Sequence, residues 1–170
     1  MSTISDVLTD AFGRIRESVH EAVEGLDGEQ LCYRPDAEAN SVAWLVWHLT
    51  RVQDDHVSDV AGREQVWTAE GWNERFGLPV DDASIGYGHS SEEVASVRVE
   101  SPDLLTAYHD AVHARTVEFL KGVDEPALDR VVDDSWDPPV TLGVRLVSVV
   151  NDDLQHVGQA AYVRGLVERR

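Results

Sequence analysis

A carboxylate and an imidazole lie four residues apart near the C-terminus, at Asp152 and His156. Positions i and i+4 of a helix lie one above the other on the same face, so we predict that both side chains share the inward stripe of a helix. The other residues of that stripe are apolar: Leu142, Val149, Ala160 and Val163. Charged groups are rarely buried without a partner. A divalent metal ion would be such a partner, because imidazole and carboxylate groups are common zinc ligands.

A third ligand would have to come from another helix. His48, in the segment Trp47-His48-Leu49, is the best candidate, and His56 is its rival on the same predicted helix, two turns further along. Only one of the two histidines can easily meet the Asp152/His156 pair at the same height. The alternative without metal is a buried ion pair, in which Arg145, seven residues before Asp152, neutralises the carboxylate.

Other polar and aromatic residues are candidates for supporting roles. Gln159 follows His156 by three residues, and it would orient a ligand or water beside the metal. We assign it a catalytic role. Trp44 and Trp72 are candidates for the walls of a cofactor pocket, although large aromatic side chains serve equally often as core filling.

Two further histidine motifs are less suited to bind metal. His109 and His113 are also four residues apart, but helical rotation places His113 off the inward face, and we predict that both are solvated. Glu17 and His20 match the Glu-x-x-His motif of di-iron bundles. Both residues lie away from the apolar stripe of their helix, which argues against a di-iron centre.

Apolar residues at steps of three and four predict four helices and no convincing strand. The helices span about residues 2–24, 40–60, 101–121 and 141–168, and the last two begin at the capping residues Ser101 and Thr141. Roughly 40 residues join the second and third helices, and their aromatic content indicates an ordered crossover. We expect a short helix near residues 91–97. Because a long crossover lets these helices run parallel, we predict an all-α four-helix bundle with up-down-down-up order.

Composition limits the classes of partner. A chain of 170 residues, 42% hydrophobic and 27% charged, is typical of one globular domain. Its formal charge of −18 would repel nucleic acid and anionic membrane surfaces, and no apolar run is long enough to span a membrane. The single cysteine, Cys32, cannot form an internal disulfide, so we expect a reducing cytoplasm.

The order and separation of these segments resemble the DinB/YfiT-like superfamily of metal-binding four-helix bundles. This superfamily includes mycothiol-dependent maleylpyruvate isomerase and the bacillithiol transferases. The resemblance is carried by Trp47-His48-Leu49 and by the acid-x-x-x-His-x-Gly-Gln run at residues 152–159. It implies that His48, Asp152 and His156 hold zinc or nickel, and that the chain forms a homodimer. The sequence departs from the family at Asp152, where glutamate or histidine is typical.

The resemblance implies a metal-dependent enzyme that transfers or adds a low-molecular-weight thiol, such as mycothiol, to a small electrophile. Two alternatives stay open. One is a non-catalytic bundle, small-molecule-binding or stress-related, whose metal is structural or absent. The other is a metal-dependent hydrolase that uses the same ligands. An open coordination position beside a pocket would distinguish a catalytic site from a structural one.

Overall fold

The computed structural model describes residues 3–170, which are mainly helical. The predicted start of the first helix at residue 2 lies outside this range. In chain order the elements are α1 (Ile4–Val23), α2 (Gly28–Leu31), α3 (Val42–Ala61), α4 (Val66–Ala69), α5 (Trp72–Phe76), α6 (Ser91–Ser96), α7 (Pro102–Leu120), a 3₁₀ turn (Pro126–Asp129), β1 (Val131–Asp133), β2 (Val140–Thr141) and α8 (Leu142–Val167). The all-α class is confirmed.

Hydroxyl side chains begin all four long helices. Thr3, Ser41, Ser101 and Thr141 each accept a hydrogen bond from a backbone N–H of the first turn, which satisfies one of the donors left free at a helix start. The predicted caps of the third and fourth long helices are therefore confirmed.

Contacts between helices establish their directions. Ser5, at the start of α1, donates to the carbonyl of Leu120 at the end of α7, so α1 and α7 are antiparallel. Thr50 and Gln53 of α3 bond His109 and Thr116 of α7 in the same order, which makes α3 and α7 parallel. His48 and His56 of α3 contact His156 and Arg145 of α8 in the reverse order, so these two helices are antiparallel. The order is therefore the predicted up-down-down-up.

The inward stripe of α8 differs from the predicted one. Asp153, not Asp152, lies in the core and is fully buried, in register with Leu146, Val149 and Val157. Asp152 and His156 lie about 100° to the side and are only partly buried, with side-chain exposures of 34% and 19%. The predicted apolar residues of the stripe, Leu142, Val149, Ala160 and Val163, are buried, but the prediction placed the polar pair one position away from the core face, although the two residues still share a face.

The prediction that His109 and His113 are solvated was wrong. His109 is fully buried, and its Nδ1 lies 3.1 Å from the hydroxyl of Thr50. It follows Leu105 by four residues, so it shares the inward face of α7. Burial lowers the pKa of His109 to about 3, and the imidazole is therefore neutral in the folded chain. His113 is half-buried.

Short elements complete the chain. The connector between α3 and α7 is ordered and includes α6, close to the short helix expected near residues 91–97. The strands β1 and β2 form a small antiparallel hairpin before α8 that the sequence pattern did not predict, because strands of three and two residues are too short to show alternation. Within residues 3–170, no helix is long and apolar enough to cross a membrane.

Candidate metal centre

The structure brings His48, Asp152 and His156 together. One potential ligand atom from each residue lies within 4.8 Å of the other two. His48 comes from the buried face of α3, and the other two come from the side of α8 that faces α3. Because helices α3 and α8 are antiparallel, the seventh residue of one meets the middle of the other, which is how residues far apart in sequence converge.

Aromatic rings pack around the cluster. Trp44, one turn before His48, stacks on its imidazole with centroids 4.5 Å apart and planes inclined by 20°. The ring of His156 meets that of His48 edge-on at 4.6 Å, and it lies 6.3 Å from Trp44. The Trp44 indole therefore forms one wall of the cluster, and contact with it limits rotation of the His48 ring.

Hydrogen bonds determine which ring nitrogens carry protons. The Nδ1 atom of His48 contacts the carbonyl oxygen of Ile85, and the Nδ1 atom of His156 lies 2.9 Å from the carbonyl oxygen of Asp152. A carbonyl can only accept, so Nδ1 is the donor in both histidines. In the neutral rings the lone pair is then on Nε2, which is the arrangement that a metal-ligating histidine needs.

The Asp152 carboxylate is close to His156 but is not fully paired. Its Oδ2 lies 3.2 Å from His156 Nδ1, yet the N–H points at the backbone carbonyl, and Oδ2 is a buried oxygen that accepts no hydrogen bond. Burial opposes ionisation, but the contact with His156 and the nearby imidazoles hold the pKa of Asp152 below its usual value. The carboxylate is therefore anionic at neutral pH.

The two imidazoles respond to their surroundings in opposite directions. Burial lowers the pKa of His48, which favours the neutral ring. The contact with the Asp152 carboxylate raises the pKa of His156, so in the absence of a cation this ring holds a proton more readily. A metal ion at the cluster would take the place of that proton, because both neutralise the same carboxylate.

The competing assignments for Arg145 and His56 are not supported by the geometry. Arg145 approaches His56 Nδ1 at 2.9 Å and Asp133 Oδ2 at 3.3 Å, and it is not among the partners of Asp152 in the described residues. His56 lies further along α3 and is absent from the three-residue cluster. The buried Arg145–Asp152 pair that we considered as the alternative without metal does not form.

The candidates for supporting roles lie in different places. Gln159 is exposed and lines a groove of about 750 Å³ between the segment that precedes α3 and the second half of α8. Trp72 is buried against Tyr108 with centroids 5.5 Å apart, and Arg75 lies over its ring. Of the two tryptophans named as pocket walls, the structure therefore places only Trp44 in contact with the cluster.

Sequence reasoning did not single out the connector residues beside the cluster. The carbonyl of Ile85 contacts His48, and His89 stacks on Trp47 while accepting a hydrogen bond from Trp44 Nε1 at 3.2 Å. The only signal in the sequence is the Gly86-Tyr87-Gly88-His89 segment, since two glycines so close together indicate a turn. Nothing in the sequence showed which helix the turn would cover.

The residues present fit a divalent metal ion. Two imidazoles have Nε2 lone pairs, and a carboxylate oxygen lacks a hydrogen-bond partner; together they form a three-ligand set of the kind that binds Zn²⁺ or Ni²⁺. Asp152 and His156 are also partly exposed, so solvent reaches the cluster.

The bundle order and the His–Asp–His cluster between α3 and α8 define a protein of the DinB/YfiT-like type. The family model described as mycothiol-S-transferase matches residues 7–169, and the chain belongs to this family. The chain is also similar to a solved structure described as the conserved protein of a locus from Enterococcus faecalis. The two are 32% identical with a TM-score of 0.93, and the alignment covers 100% of each chain. No curated protein matches the sequence.

Proposed function

We propose that the chain is a metal-dependent thiol transferase. His48, Asp152 and His156 bind Zn²⁺ or Ni²⁺, and the thiol is mycothiol or a similar low-molecular-weight thiol. The observation that carries the proposal is the convergence of three ligand atoms within 4.8 Å on the chain of a mycothiol-S-transferase family member. Membership supports the thiol, and the cluster supports the metal.

The bound cation would favour thiolate over thiol at neutral pH and so supply the nucleophile. In a transfer, the thiol gives up its proton to solvent, its sulfur forms a bond to carbon, and the leaving group departs with the electron pair of the broken bond. In an addition to a double bond, the neighbouring carbon takes up a proton instead. Trp44 shields one side of the cluster from water, which strengthens electrostatic interactions there.

The groove beside the cluster is where we place the rest of the thiol and the electrophile. It includes Gln159, only about 4.5 Å along the helix axis from His156. Its lining includes two carboxylates, Asp36 and Glu38, together with apolar side chains and uncharged hydrogen-bonding ones, the last being Asn40, Gln155, Gln159 and Tyr162. The two carboxylates disfavour an anionic ligand, so the surface suits a polar ligand without negative charge, and we assign Gln159 to bind or orient it.

Elemental analysis of protein purified without added metal or chelator tests the metal site. We expect about one zinc or nickel ion per chain, because the three ligands form a single cluster. His156→Ala should lose the ion and keep its helix content in circular dichroism. His113→Ala is the matched control, since this half-buried histidine lies on α7, outside the cluster. Absence of metal in the wild type would contradict the proposal and favour the non-catalytic bundle.

The reaction is tested with mycothiol and 1-chloro-2,4-dinitrobenzene, followed by the absorbance of the thioether. Wild type and His113→Ala should form the product, and His156→Ala should lose most of the rate. An ester such as p-nitrophenyl acetate, given without thiol, separates the hydrolase alternative. Hydrolysis that needs the metal, with no thioether formed, would replace the transferase with a hydrolase.

We also propose that the chain is a homodimer joined through the outer face of α8. Between residues 144 and 162 this helix has ten exposed residues and none is charged: Val144, Val147, Ser148, Asn151, Leu154, Gln155, Gly158, Gln159, Ala161 and Tyr162. In a chain with a formal charge of −18, such a face is where two identical copies can meet with the least electrostatic repulsion.

A further inference from the structure

A turn of the connector covers the imidazole of His48. The carbonyl of Ile85 accepts the Nδ1 proton, and the next residue, Gly86, is buried against the same ring. A Cβ atom at Gly86 would lie 2.7 Å from His48 Nδ1 and 3.0 Å from Trp47 Cζ3. A side chain at this position would require the His48 ring to move, so glycine is what allows the backbone to approach the ring this closely.

Arg51 holds the turn against α3. It lies three residues after His48 on that helix and is fully buried. Its guanidinium donates to the carbonyl of Asp82 at 2.9 Å and to the carbonyl of Ser84 at 3.2 Å. A planar guanidinium can bind both carbonyls at once because its donors lie in a fixed fork. Arg51 therefore fixes the backbone immediately before Ile85.

A second set of bonds holds the far side of the turn. His89 Nδ1 accepts from the Trp44 indole at 3.2 Å, so its Nε2 carries the proton and donates to the hydroxyl of Ser84 at 2.9 Å. The backbone N–H of Gly86 also reaches this hydroxyl, at 3.3 Å. The turn is thus tied to α3 on both sides of the Ile85 carbonyl.

We infer that this turn is a positioning element for the metal centre: Arg51 and Ser84 hold the Ile85 carbonyl against His48 Nδ1, which directs Nε2 toward Asp152 and His156. The inference rests on the proposed metal site, because it explains how one ligand of that site is oriented. Arg51 and Gly86 act through His48 and are positioning residues. Contacts of this kind fix the tautomer and the angle of a metal-ligating ring.

Two glycines of the same turn allow a matched test. Gly86 and Gly88 both have left-handed backbones, with φ of +93° and +75°, so alanine is strained at either position. They differ in what alanine would meet: nothing lies within 4 Å of a Cβ at Gly88, whereas a Cβ at Gly86 would strike His48. The difference between Gly86→Ala and Gly88→Ala therefore isolates the contact with the ring.

The experiment is a titration of metal-free protein with Co²⁺, followed by its visible absorption, and with Zn²⁺ in competition. We expect Gly86→Ala to bind about 10–100-fold more weakly than wild type, the usual effect of disturbing an outer partner of a ligand, with an altered Co²⁺ spectrum. Gly88→Ala should bind within about twofold of wild type. Equal affinities of Gly86→Ala and Gly88→Ala, whether unchanged or equally weakened, would overturn the inference.

Imidazole ¹⁵N NMR of metal-free wild type at pH 8 provides a second measurement that needs no variant. We expect His48 to be the neutral tautomer with its proton on Nδ1, and a proton on Nε2 would overturn the inference even if Gly86→Ala fails to fold. A wild type that binds neither Co²⁺ nor Zn²⁺ would instead refute the metal site itself. The two failures are therefore distinguishable.

Discussion

Asp153 is a fully buried carboxyl group, and neither of its oxygens accepts a hydrogen bond from the described residues. Burial raises its pKa well above the usual value, and the neighbouring charge of Asp152 adds to this effect. A buried carboxyl in such surroundings takes up a proton rather than remain charged. Near neutral pH Asp153 therefore lowers the free energy of unfolding, because the unfolded chain can release the proton that the folded protein retains.

We predict that Asp153→Asn stabilises the protein and that its advantage grows with pH. A carboxyl whose pKa is raised in the folded state contributes its stability below the unfolded pKa, 3.8, and loses it as pH rises from there toward the folded pKa. Asparagine has no proton to release, so it avoids this loss. The free energy of unfolding in urea, measured at pH 5.5 and pH 8, should show a larger gain at pH 8.

Glu17→Gln is the control for this comparison, because it also removes one negative charge but from an exposed position on α1. It should change the stability little at either pH. A loss of stability in Asp153→Asn at pH 8 would show that the carboxylate is ionised and paired in the folded protein.

Residue spacing and the family resemblance together predicted which three residues converge, but not the burial of their neighbours. His48, Asp152 and His156 could be named from a helical i, i+4 pair and a resemblance, and the structure brings them together. The choice between Asp152 and Asp153 as the core residue depends on about 100° of helical rotation. Asp152 and Asp153 are chemically identical and differ only in their position around the helix. The apolar pattern of α8 is too weak to show which of the two faces the core.

Among the elements, the connector between α3 and α7 owes its order to two buried polar residues of α3. Asp54 accepts the backbone N–H groups of Val66 and Trp67, each at 2.8 Å, and thereby binds the start of α4. It also accepts from the Tyr108 hydroxyl at 2.9 Å; burial raises the pKa of Tyr108 well above its usual value, so the phenol remains a donor. Arg51 binds the middle of the same connector, at the carbonyls of Asp82 and Ser84.

We predict that Asp54→Ala destabilises the protein by about 3–5 kcal/mol, the usual cost of removing one partner from a buried charged network. The variant leaves two backbone donors and the Tyr108 hydroxyl without their acceptor, and it removes the negative charge 3.7 Å from the Arg51 guanidinium. Urea unfolding followed by circular dichroism measures the change. The exposed Asp59, on the same helix, is the control, and Asp59→Ala should fall within about 0.5 kcal/mol of wild type. Equal effects of the two substitutions would contradict this role for Asp54.

The long helices were predictable because each combines a capping residue with apolar residues at steps of three and four. The crossover was predictable only in length and order. Arg51 and Asp54 are three residues apart, a spacing that on most helices makes an exposed ion pair. They are buried because the connector folds over them. The connector has no regular apolar pattern, so the sequence around Arg51 and Asp54 does not show that it covers them.

At the scale of the whole molecule, the charge is spread unevenly. The formal net charge is −18, yet the outer face of α8 has no exposed charged side chain along about 27 Å of helix between Val144 and Tyr162. The midpoint of this face is close to Leu154, which is 50% exposed. If the two copies of α8 cross at a twofold axis near Leu154, the contact is centred on that residue and the groove end of the face, at Gln159 and Tyr162, stays open to ligand.

We predict that wild type sediments as a dimer in analytical ultracentrifugation at micromolar concentration and that Leu154→Glu sediments as a monomer. The substitution places two like charges near the twofold axis, where desolvation and repulsion both oppose association. Val7→Glu, at an exposed valine of α1, adds the same charge elsewhere and should stay dimeric. Monomeric wild type, or dimeric Leu154→Glu, would contradict the α8 interface.

The interface between the antiparallel helices α3 and α8 affects how a cation bound by both helices is retained. More than half of the chain lies between His48 and Asp152, so an ion bound by both links segments that are close only in the folded protein. The unfolded chain cannot bind the ion with all three ligands at once. Any substitution or denaturant that destabilises the contact between α3 and α8 must therefore also weaken the binding of the ion. Metal release and separation of the two helices are therefore linked, and a chelator should promote unfolding just as urea promotes metal loss.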